Sequence, residues 1–301
     1  MQKNAYIAGV KTIIQKILCA ALIFLPSYGF AQTAIVLDRE TKERLAYVIV
    51  AFPQHNQHLY TTRDGVFSIP TNYTPSDSVI VSVMGYQKLS TTISALRDTI
   101  FLTAIQYALP EAIVRPAKSV TLGFTQKKLN KHKYSFGWRG DQFVAVSVAT
   151  YIANDILGSA TISTLLFRYR QTDPNIRYIV RPQVYAVDSD GRPGPYLLIK
   201  SQVFTLIGDG VLEVPCNPAI DFPSNGVFVG LEIVEAIDQN GNSIVAEPYQ
   251  RIEYPFLNTT SSKQAFTYLS LTNRSDWFLW DVPQEKAQPN AAFGIILSVP
   301  Q

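Results

Sequence analysis

The stretch from Asp276 to Asp281 places two carboxylates on either side of a Trp-Phe-Leu-Trp run. Acid pairs beside aromatic platforms are typical of glycan hydrolases, in which two carboxylates flank the glycosidic bond. In an extended strand, however, residues an odd number of positions apart point to opposite faces. We therefore expect the two acids to point to opposite faces, and Trp277 and Trp280 to do the same. Core packing is the expectation for the tryptophan pair, and the alternative is that one of them is exposed near a rim and serves as a stacking platform. The candidate ligand-binding residues are accordingly the three tryptophans, Trp138, Trp277 and Trp280.

Calcium coordination is a second chemistry to consider. Asp188 and Asp190 lie one residue apart before Gly191, as in the first part of a calcium loop. A calcium loop continues with further oxygen ligands, but here Arg192 and Pro193 follow. The sequence therefore predicts a β-turn at this position.

Histidines are too few for a hydrolase centre. The chain has three, His55, His58 and His132. A zinc carboxypeptidase needs two histidines and a carboxylate as ligands, and serine or cysteine hydrolases need a histidine beside the nucleophile. Cys216, the one cysteine beyond Cys19, is expected to be a small packed residue. The sequence predicts no metal, no cofactor and no peptidase or other enzymatic activity.

The sharpest local signal is Asp64-Gly65, within Thr-Thr-Arg-Asp-Gly-Val-Phe-Ser-Ile-Pro. An acid before a glycine suits either a loop that holds a cation or phosphate, or a tight turn. A cation loop needs further oxygen ligands at alternate positions, yet the next acid is Asp77. A phosphate loop needs more glycines and a following helix. Because β-rich runs flank the dipeptide, we predict a two-residue hairpin turn, in which glycine supplies the positive φ.

The first 31 residues have the composition of a secretory signal. Three lysines are followed by an apolar run at residues 17–25 and a small-residue pattern that ends at Ala31. We predict cleavage between Ala31 and Gln32, and an uncleaved N-terminal anchor is the alternative. The protein is thus expected to be exported, to the periplasm or to the outer membrane and cell surface. Those lysines account for the whole formal charge of +3, so no nucleic-acid partner is predicted.

Short apolar runs separated by turn residues continue through the rest of the chain. Residues 32–105 predict about seven strands. Residues 106–135, with two prolines, predict a linker, and residues 136–301 contain about nine strand candidates, as in a jelly-roll-like β-sandwich. The expected fold class is all-β, with two domains.

Basic residues accumulate near the end of the predicted linker, at Lys127, Lys128, Lys131 and Lys133. A solvated linker is one interpretation. Peripheral contact of these side chains with anionic lipid or lipopolysaccharide phosphates is the other.

The first domain resembles a known family. Asp-Gly-Val-Phe at Asp64 and Gly65, followed by Val-Met-Gly-Tyr at Gly85 and Tyr86, is similar to the carboxypeptidase-D regulatory-like domain. The resemblance covers residues 33–105 and implies a transthyretin-like β-sandwich of seven strands, in which these four residues form structural turns. It also implies a non-catalytic accessory module of exported bacterial envelope proteins. Residues 184–194 and 226–232 more loosely resemble sandwich domains that accompany this module.

These patterns predict a non-catalytic exported envelope protein that acts in binding or assembly with an envelope protein or a surface glycan. Binding by strand addition at a sheet edge and binding through an aromatic patch are both open. The alternative is a carbohydrate-binding module or weak glycan hydrolase in the C-terminal sandwich.

Overall fold

The computed structural model describes residues 33–55, 57–105, 117–125, 127, 137–139, 146–171, 173–198, 201–244, 251–256, 258–271, 277–282 and 286–300. Within these ranges the chain forms 22 β-strands and two short 3-10 turns, Pro53–His55 and Ile93–Ala95. The strands build two sandwiches, so the all-β prediction is confirmed. Among the described residues, no helix is long and apolar enough to span a membrane.

Seven strands form the first sandwich. They are β1 (Thr33–Asp38), β2 (Ile49–Phe52), β3 (Gln57–Tyr60), β4 (Val66–Ser68), β5 (Ser78–Ser82), β6 (Leu89–Thr92) and β7 (Thr99–Leu102). One sheet has the order β4-β1-β7 and the other β3-β2-β5-β6. Burial alternates along β5, where Val79 and Val81 face the core while Ser82 faces outward.

The Asp64-Gly65 turn is present, but it does not close a hairpin. The Gly65 N–H donates to the Thr62 carbonyl oxygen (3.0 Å), and the φ of Gly65 is +70°. The flanking strands belong to different sheets, since β3 pairs with β2 and β4 pairs with β1. The predicted hairpin pairing is therefore wrong. The physical reason is that β4 pairs with β1 in the other sheet. The Val36 N–H of β1 also donates to the Gly65 carbonyl oxygen (2.8 Å).

The remaining strands form the second sandwich and two small sheets beside it. They are β8 (Ala117–Gly123), β9 (Gly137–Arg139), β10 (Val146–Ile152), β11 (Thr161–Tyr169), β12 (Arg177–Val187), β13 (Pro193–Tyr196), β14 (Phe204–Leu206), β15 (Gly210–Asp221), β16 (Val227–Ile237), β17 (Arg251–Glu253), β18 (Asn258–Ser262), β19 (Thr267–Leu271), β20 (Phe278–Leu279), β21 (Gln288–Ala291) and β22 (Phe293–Pro300). A seven-stranded sheet of order β13-β12-β16-β10-β19-β20, with β14 beside β12, faces a four-stranded sheet of order β15-β11-β22-β8.

The core of the second sandwich lies between these two sheets. Val148, Val180 and Leu231 contribute from the seven-stranded sheet, and Leu165 and Ile295 contribute from the four-stranded one. β16 is buried along almost its whole length on both faces. A strand buried on both faces needs a cover on its outer side as well as the core on its inner side.

The second sandwich begins earlier than the sequence predicted. Residues 106–135 were expected to be linker, yet β8 pairs with β22 along its full length. The first residues of β8 are exposed, since it is the edge strand of its sheet, and this exposure removes the apolar alternation that indicates a strand. Of the four lysines considered for lipid contact, Lys127 is exposed, and Lys128, Lys131 and Lys133 lie outside the described residues.

Candidate binding groove at the domain junction

The first domain covers part of the outer face of the seven-stranded sheet. Its own contact surface is the outer face of the β3-β2-β5-β6 sheet, where Ile49 lies between Tyr60 and Ser82 in register. A small buried apolar cluster joins the two domains and consists of Tyr47, Ile179, Val234 and Ile237, with Ala46 and Tyr60 packed against it.

A buried ion pair lies beside this cluster. Arg181 on β12 and Glu232 on β16 are directly opposite each other, with Nη1 and Oε2 3.1 Å apart and side chains only 3% and 5% exposed. Gln183 Nε2 donates to the same carboxylate oxygen (2.8 Å). From the first domain, the Tyr60 hydroxyl donates to Glu232 Oε1 (2.5 Å), and the Tyr47 carbonyl oxygen accepts from Arg181 Nη2 (2.5 Å). The ion pair itself lies within the second domain, so the contacts that join the two domains here are those of Tyr60 with Glu232 and of Tyr47 with Arg181.

Glu235 forms a second polar cluster nearer the rim of the junction. Its Oε2 accepts from the Tyr47 hydroxyl (2.6 Å) and from Arg63 Nε (3.0 Å), and its Oε1 accepts from the Ser243 hydroxyl. Burial alone would raise the pKa of Glu235, but these three hydrogen bonds together lower it below its usual value. Residues of the first domain thus satisfy acidic groups of the second at two separate points.

Tyr47 connects both clusters and has an unusual backbone conformation. Its φ is +53°, which is rare for a bulky residue and costs on the order of 1 kcal/mol or more. In this conformation its carbonyl oxygen faces Arg181 and its hydroxyl reaches Glu235. Two contacts with the second domain therefore offset the local strain.

The junction is partly shielded from water, since Tyr47 is buried there and His58 and Tyr60 are half-buried. Burial raises the pKa of Tyr60 well above its usual value, and the nearby charge of Glu232 adds to the effect. Burial also lowers the pKa of His58, which lies on the same face of β3. Both shifts disfavour the charged forms, as expected for groups that burial partly removes from water.

A groove runs along one side of the junction, next to the turn at residues 83–86. It consists of two cavities of about 310 Å³ and about 430 Å³, both lined by this turn and by Ile105. The smaller cavity reaches Arg181 and Tyr196, and the larger one reaches Val203. Each cavity is lined by residues from both sides of the junction, so the groove exists only when the two domains are docked.

Hydrogen bonds hold the 83–86 turn in place. The Tyr86 hydroxyl donates to Asp38 Oδ2 (2.8 Å), and Asp38 Oδ1 accepts from the backbone N–H groups of Glu40 and Thr41. The Thr41 N–H bond, followed by the Tyr86 bond, lowers the pKa of Asp38. Gly85 has a φ of +88°, and its carbonyl oxygen accepts from the Ile105 N–H (2.8 Å). The predicted structural turn at Gly85 and Tyr86 thus positions Ile105 beside the groove.

Exposed apolar side chains concentrate at this groove. Among the described residues, seven large apolar side chains are exposed. Three of them line the two cavities: Ile105 (39% exposed), Tyr196 (49%) and Val203 (41%). Their grouping around one concave surface is typical of a binding site, whereas single exposed apolar residues carry no such meaning.

The predicted tryptophan sites lie elsewhere. Trp280 packs against the core of the second sandwich, whereas Trp277 packs on the outer face of the seven-stranded sheet, edge-on to Tyr185 at 5.2 Å between ring centroids. The two side chains therefore face opposite sides, as predicted. Trp138 lies on β9 opposite Ile252. Asp281 is exposed, while Asp276 lies outside the described residues, so the predicted divergence of the acids stays a prediction.

Two further predicted features have clear positions. Asp188 closes a turn, because its Oδ1 accepts from the N–H groups of Asp190 (2.9 Å) and Arg192 (2.8 Å) while Gly191 has a φ of +75°. Cys216 is a buried free thiol. Within the described ranges, no group of three or more His, Cys, Asp or Glu side chains is placed to hold a metal ion. The signal segment at residues 1–31, with its predicted cleavage between Ala31 and Gln32, lies outside those ranges.

The residues that form the junction were missed in the sequence, although a signal existed. Arg181 and Glu232 are charged residues that interrupt apolar runs within two long and largely buried strands, β12 and β16. A charge that interrupts such a strand is expected to be paired. The sequence alone does not show which partner lies opposite, because that depends on the register of two strands about 50 residues apart.

No family model matches the sequence, and no curated protein is significantly similar to it. The resemblance of residues 33–105 to the carboxypeptidase-D regulatory-like domain therefore stays a prediction. In the arrangement described above, both Glu232 oxygens are already engaged as acceptors, and the groove beside them is lined mainly by apolar side chains.

Proposed function

We propose that the protein is an exported, non-catalytic component of the cell envelope that binds an envelope protein partner through the groove at the domain junction. The observation that carries this proposal is the convergence of Ile105, Tyr196 and Val203 on one concave surface that both domains form together. Apolar side chains exposed in a cleft lower the free energy when a partner covers them. The secretory composition of residues 1–31 supports export.

The two-domain construction supports the same role. Polar contacts at Arg181, Glu232 and Glu235 fix the relative orientation of the sandwiches, so the groove is preformed. A preformed site avoids the cost of ordering on binding. Binding by strand addition at a sheet edge is disfavoured at β15, one long edge strand, because Pro215 and Pro218 remove backbone donors there.

The test compares partner recovery by groove variants and by a surface control. Tagged full-length protein is purified from its native envelope as the wild type and as the Ile105→Glu, Val203→Glu and Leu157→Glu variants. Leu157 is 98% exposed and is not among the residues that line the groove. The proposal predicts one partner chain that is recovered with the wild type and the control but lost with both groove variants, and whose binding is reproduced with the two purified proteins.

Recovery of the same partner by all four proteins would contradict the proposal. So would glycan binding by the purified wild type that is lost in Trp277→Ala and retained in Ile105→Glu. That second result would support the carbohydrate-binding alternative.

A further inference from the structure

The four-stranded sheet of the second sandwich has two unlike edges. At one edge, β15 contains Pro215 and Pro218, and its pairing with β11 has a register shift. At the other edge, β8 has no proline, and its seven residues pair one to one with Gly294–Pro300. Prolines and bulges are common means by which edge strands avoid pairing with other chains. β8 lacks both, and its one charged residue, Lys118, lies near its start.

No other edge strand of the described residues combines this length with such regular pairing. The edge strands of the first domain are three or four residues long. In the second domain, β13 contains Pro193 and Pro195, β20 has two residues, and the pairing of β18 with β21 has a register shift. Within the described ranges, β8 pairs with β22 alone. It is therefore the edge that can accept a further strand with the least rearrangement.

The backbone groups on the open side of β8 follow from its hydrogen bonds to β22. The Phe124 N–H donates to the Phe293 carbonyl oxygen (2.7 Å) directly after the two strands end their pairing. Hydrogen-bonded residues alternate along an antiparallel ladder, so the even-numbered residues of β8 direct their backbone groups to β22. The odd-numbered residues direct their N–H and carbonyl groups to the open edge, and they include Ala117, Ser119 and Thr121.

The side chains of β8 define what an added strand must carry. Val120 and Leu122 are half-buried and pack against the core of the second sandwich. Ser119 and Thr121 alternate with them, so their side chains lie on the outer face of the sheet. An added strand places every second side chain next to Val120 and Leu122, where an apolar group increases the buried area. Its other side chains lie beside Ser119 and Thr121, where polar groups such as threonine fit.

The charge near this edge is positive only. Residues 117–127 include Lys118 and Lys127 and no acid, and the neighbouring strand β22 has no charged residue. Both lysines are exposed, and among the described residues neither forms an ion pair. Opposite charge on an incoming strand speeds association and helps to set its register, although each exposed pair adds little affinity. A segment with acidic residues at its ends therefore complements this edge.

We propose that the open edge of β8 receives an extended segment of another protein as an additional antiparallel strand. The segment alternates apolar residues, which cover Val120 and Leu122, with polar residues whose backbone groups bond to Ser119 and Thr121, and it has acidic ends. The antiparallel direction is favoured because such pairing is slightly more stable per residue than parallel pairing. This site belongs to the four-stranded sheet and is separate from the groove on the other sheet, so it goes beyond the proposed function.

Methylated peptides test the backbone pairing without any change in the protein. The probe is acetyl-Glu-Val-Thr-Val-Thr-Val-Glu-amide, added to the full chain. We expect a Kd on the order of 0.1 mM and slower hydrogen exchange at the amides of Ser119 and Thr121. In the antiparallel arrangement the threonine N–H groups of the peptide face β8, whereas the valine N–H groups face away. N-methylation of both threonines should therefore abolish binding, and N-methylation of the two outer valines should preserve it.

Substitutions at Ser119 test the same edge from the side of the protein. Ser119→Pro removes an outward N–H and no bond to β22, and we expect it to weaken peptide binding by about tenfold. Ser119→Ala keeps this N–H and is the matched control, with the Kd of the wild type. Ile105→Glu, which alters the groove, should also bind the peptide as the wild type does. Circular dichroism and thermal unfolding establish that each variant is folded.

Equal binding by the two methylated peptides, or no binding by the wild type, would overturn the inference. Loss of peptide binding in Ile105→Glu would place the peptide in the groove and overturn it too. So would a wild-type dimer that binds no peptide and dissociates in Ser119→Pro, because a second copy of the chain would then occupy the edge. If the peptide binds as expected while Ile105→Glu retains its envelope partner, the strand addition stands and the proposed function is wrong.

Discussion

The Tyr60 hydroxyl donates a 2.5 Å hydrogen bond to Glu232 Oε1 across the domain junction, between residues 172 positions apart in the chain. The other oxygen of Glu232 already accepts from Arg181 and Gln183. This one bond therefore completes a buried polar network in the second domain with a group from the first. The orientation of the two sandwiches, and with it the groove, depends on such contacts.

Replacement of Tyr60 by phenylalanine removes this donor and leaves the ring. We expect the free energy of unfolding in urea to fall by about 1.5–3 kcal/mol, because a buried charged acceptor loses its partner. Tyr73→Phe is the matched control, since the Tyr73 hydroxyl donates to Gln57 at an exposed position within the first domain, and it should change stability by less than about 0.5 kcal/mol. Equal losses in both variants would contradict the structural role of the junction bond.

A comparison of substitutions at Gly65 and Gly191 distinguishes the cost of backbone conformation from the cost of steric crowding. Both have positive φ, but a Cβ at Gly65 would lie 2.9 Å from the Val36 carbonyl oxygen, whereas a Cβ at Gly191 would have no neighbour within 4 Å. We expect Gly191→Ala to cost about 1–2 kcal/mol from backbone conformation alone, and Gly65→Ala to cost clearly more. Urea unfolding of both variants measures the difference, and an equal cost would show that Gly65 is not crowded.

His58 should make stability depend on pH. Burial lowers the pKa of His58 below its usual value of 6.5. Below that pH the unfolded chain therefore binds a proton that the folded chain does not, and folded stability falls as the pH decreases through 6.5. Unfolding free energies at pH 8 and at acidic pH should show this loss in the wild type and a smaller one in His58→Gln. A His58→Gln protein with the full wild-type pH dependence would contradict this assignment.

The thiol of Cys216 should be protected in the folded protein. Burial raises its pKa to about 11, and the thiolate is the reactive form. In a Cys19→Ser chain, we expect reaction with a disulfide reagent to be slow at pH 8, to accelerate as the pH approaches the raised pKa, and to be immediate in denaturant. Complete reaction of the native protein at pH 8 during mixing would show that Cys216 is accessible.

Much of the strand pattern was predictable because burial alternates or persists along each strand. The all-β fold follows from short apolar runs separated by turn residues, and the turns at Asp64, Gly85 and Asp188 follow from residues that favour such turns. Local sequence determines these features, so no tertiary contact was needed to find them.

Pairing and packing across the chain were not predictable in the same way. Local sequence patterns do not predict that β4 pairs with β1, that β8 joins β22, or that Tyr60 reaches Glu232. Each depends on strands far apart in the chain, and their register follows from the whole fold. The tryptophans drew attention because of their type, whereas the groove is built from ordinary apolar residues that the fold brings together.

Site-specific photocrosslinking in the native envelope tests the central claim most directly. A benzoylphenylalanine side chain is placed at Val203, which lines the larger cavity, or at the control position Leu157. The groove account predicts a single adduct with one partner protein from position 203, with the crosslink mapped to one short segment, lost when Ile105→Glu is added, and absent from position 157. The same adduct from both positions, or an adduct from 203 that persists with Ile105→Glu, would contradict it.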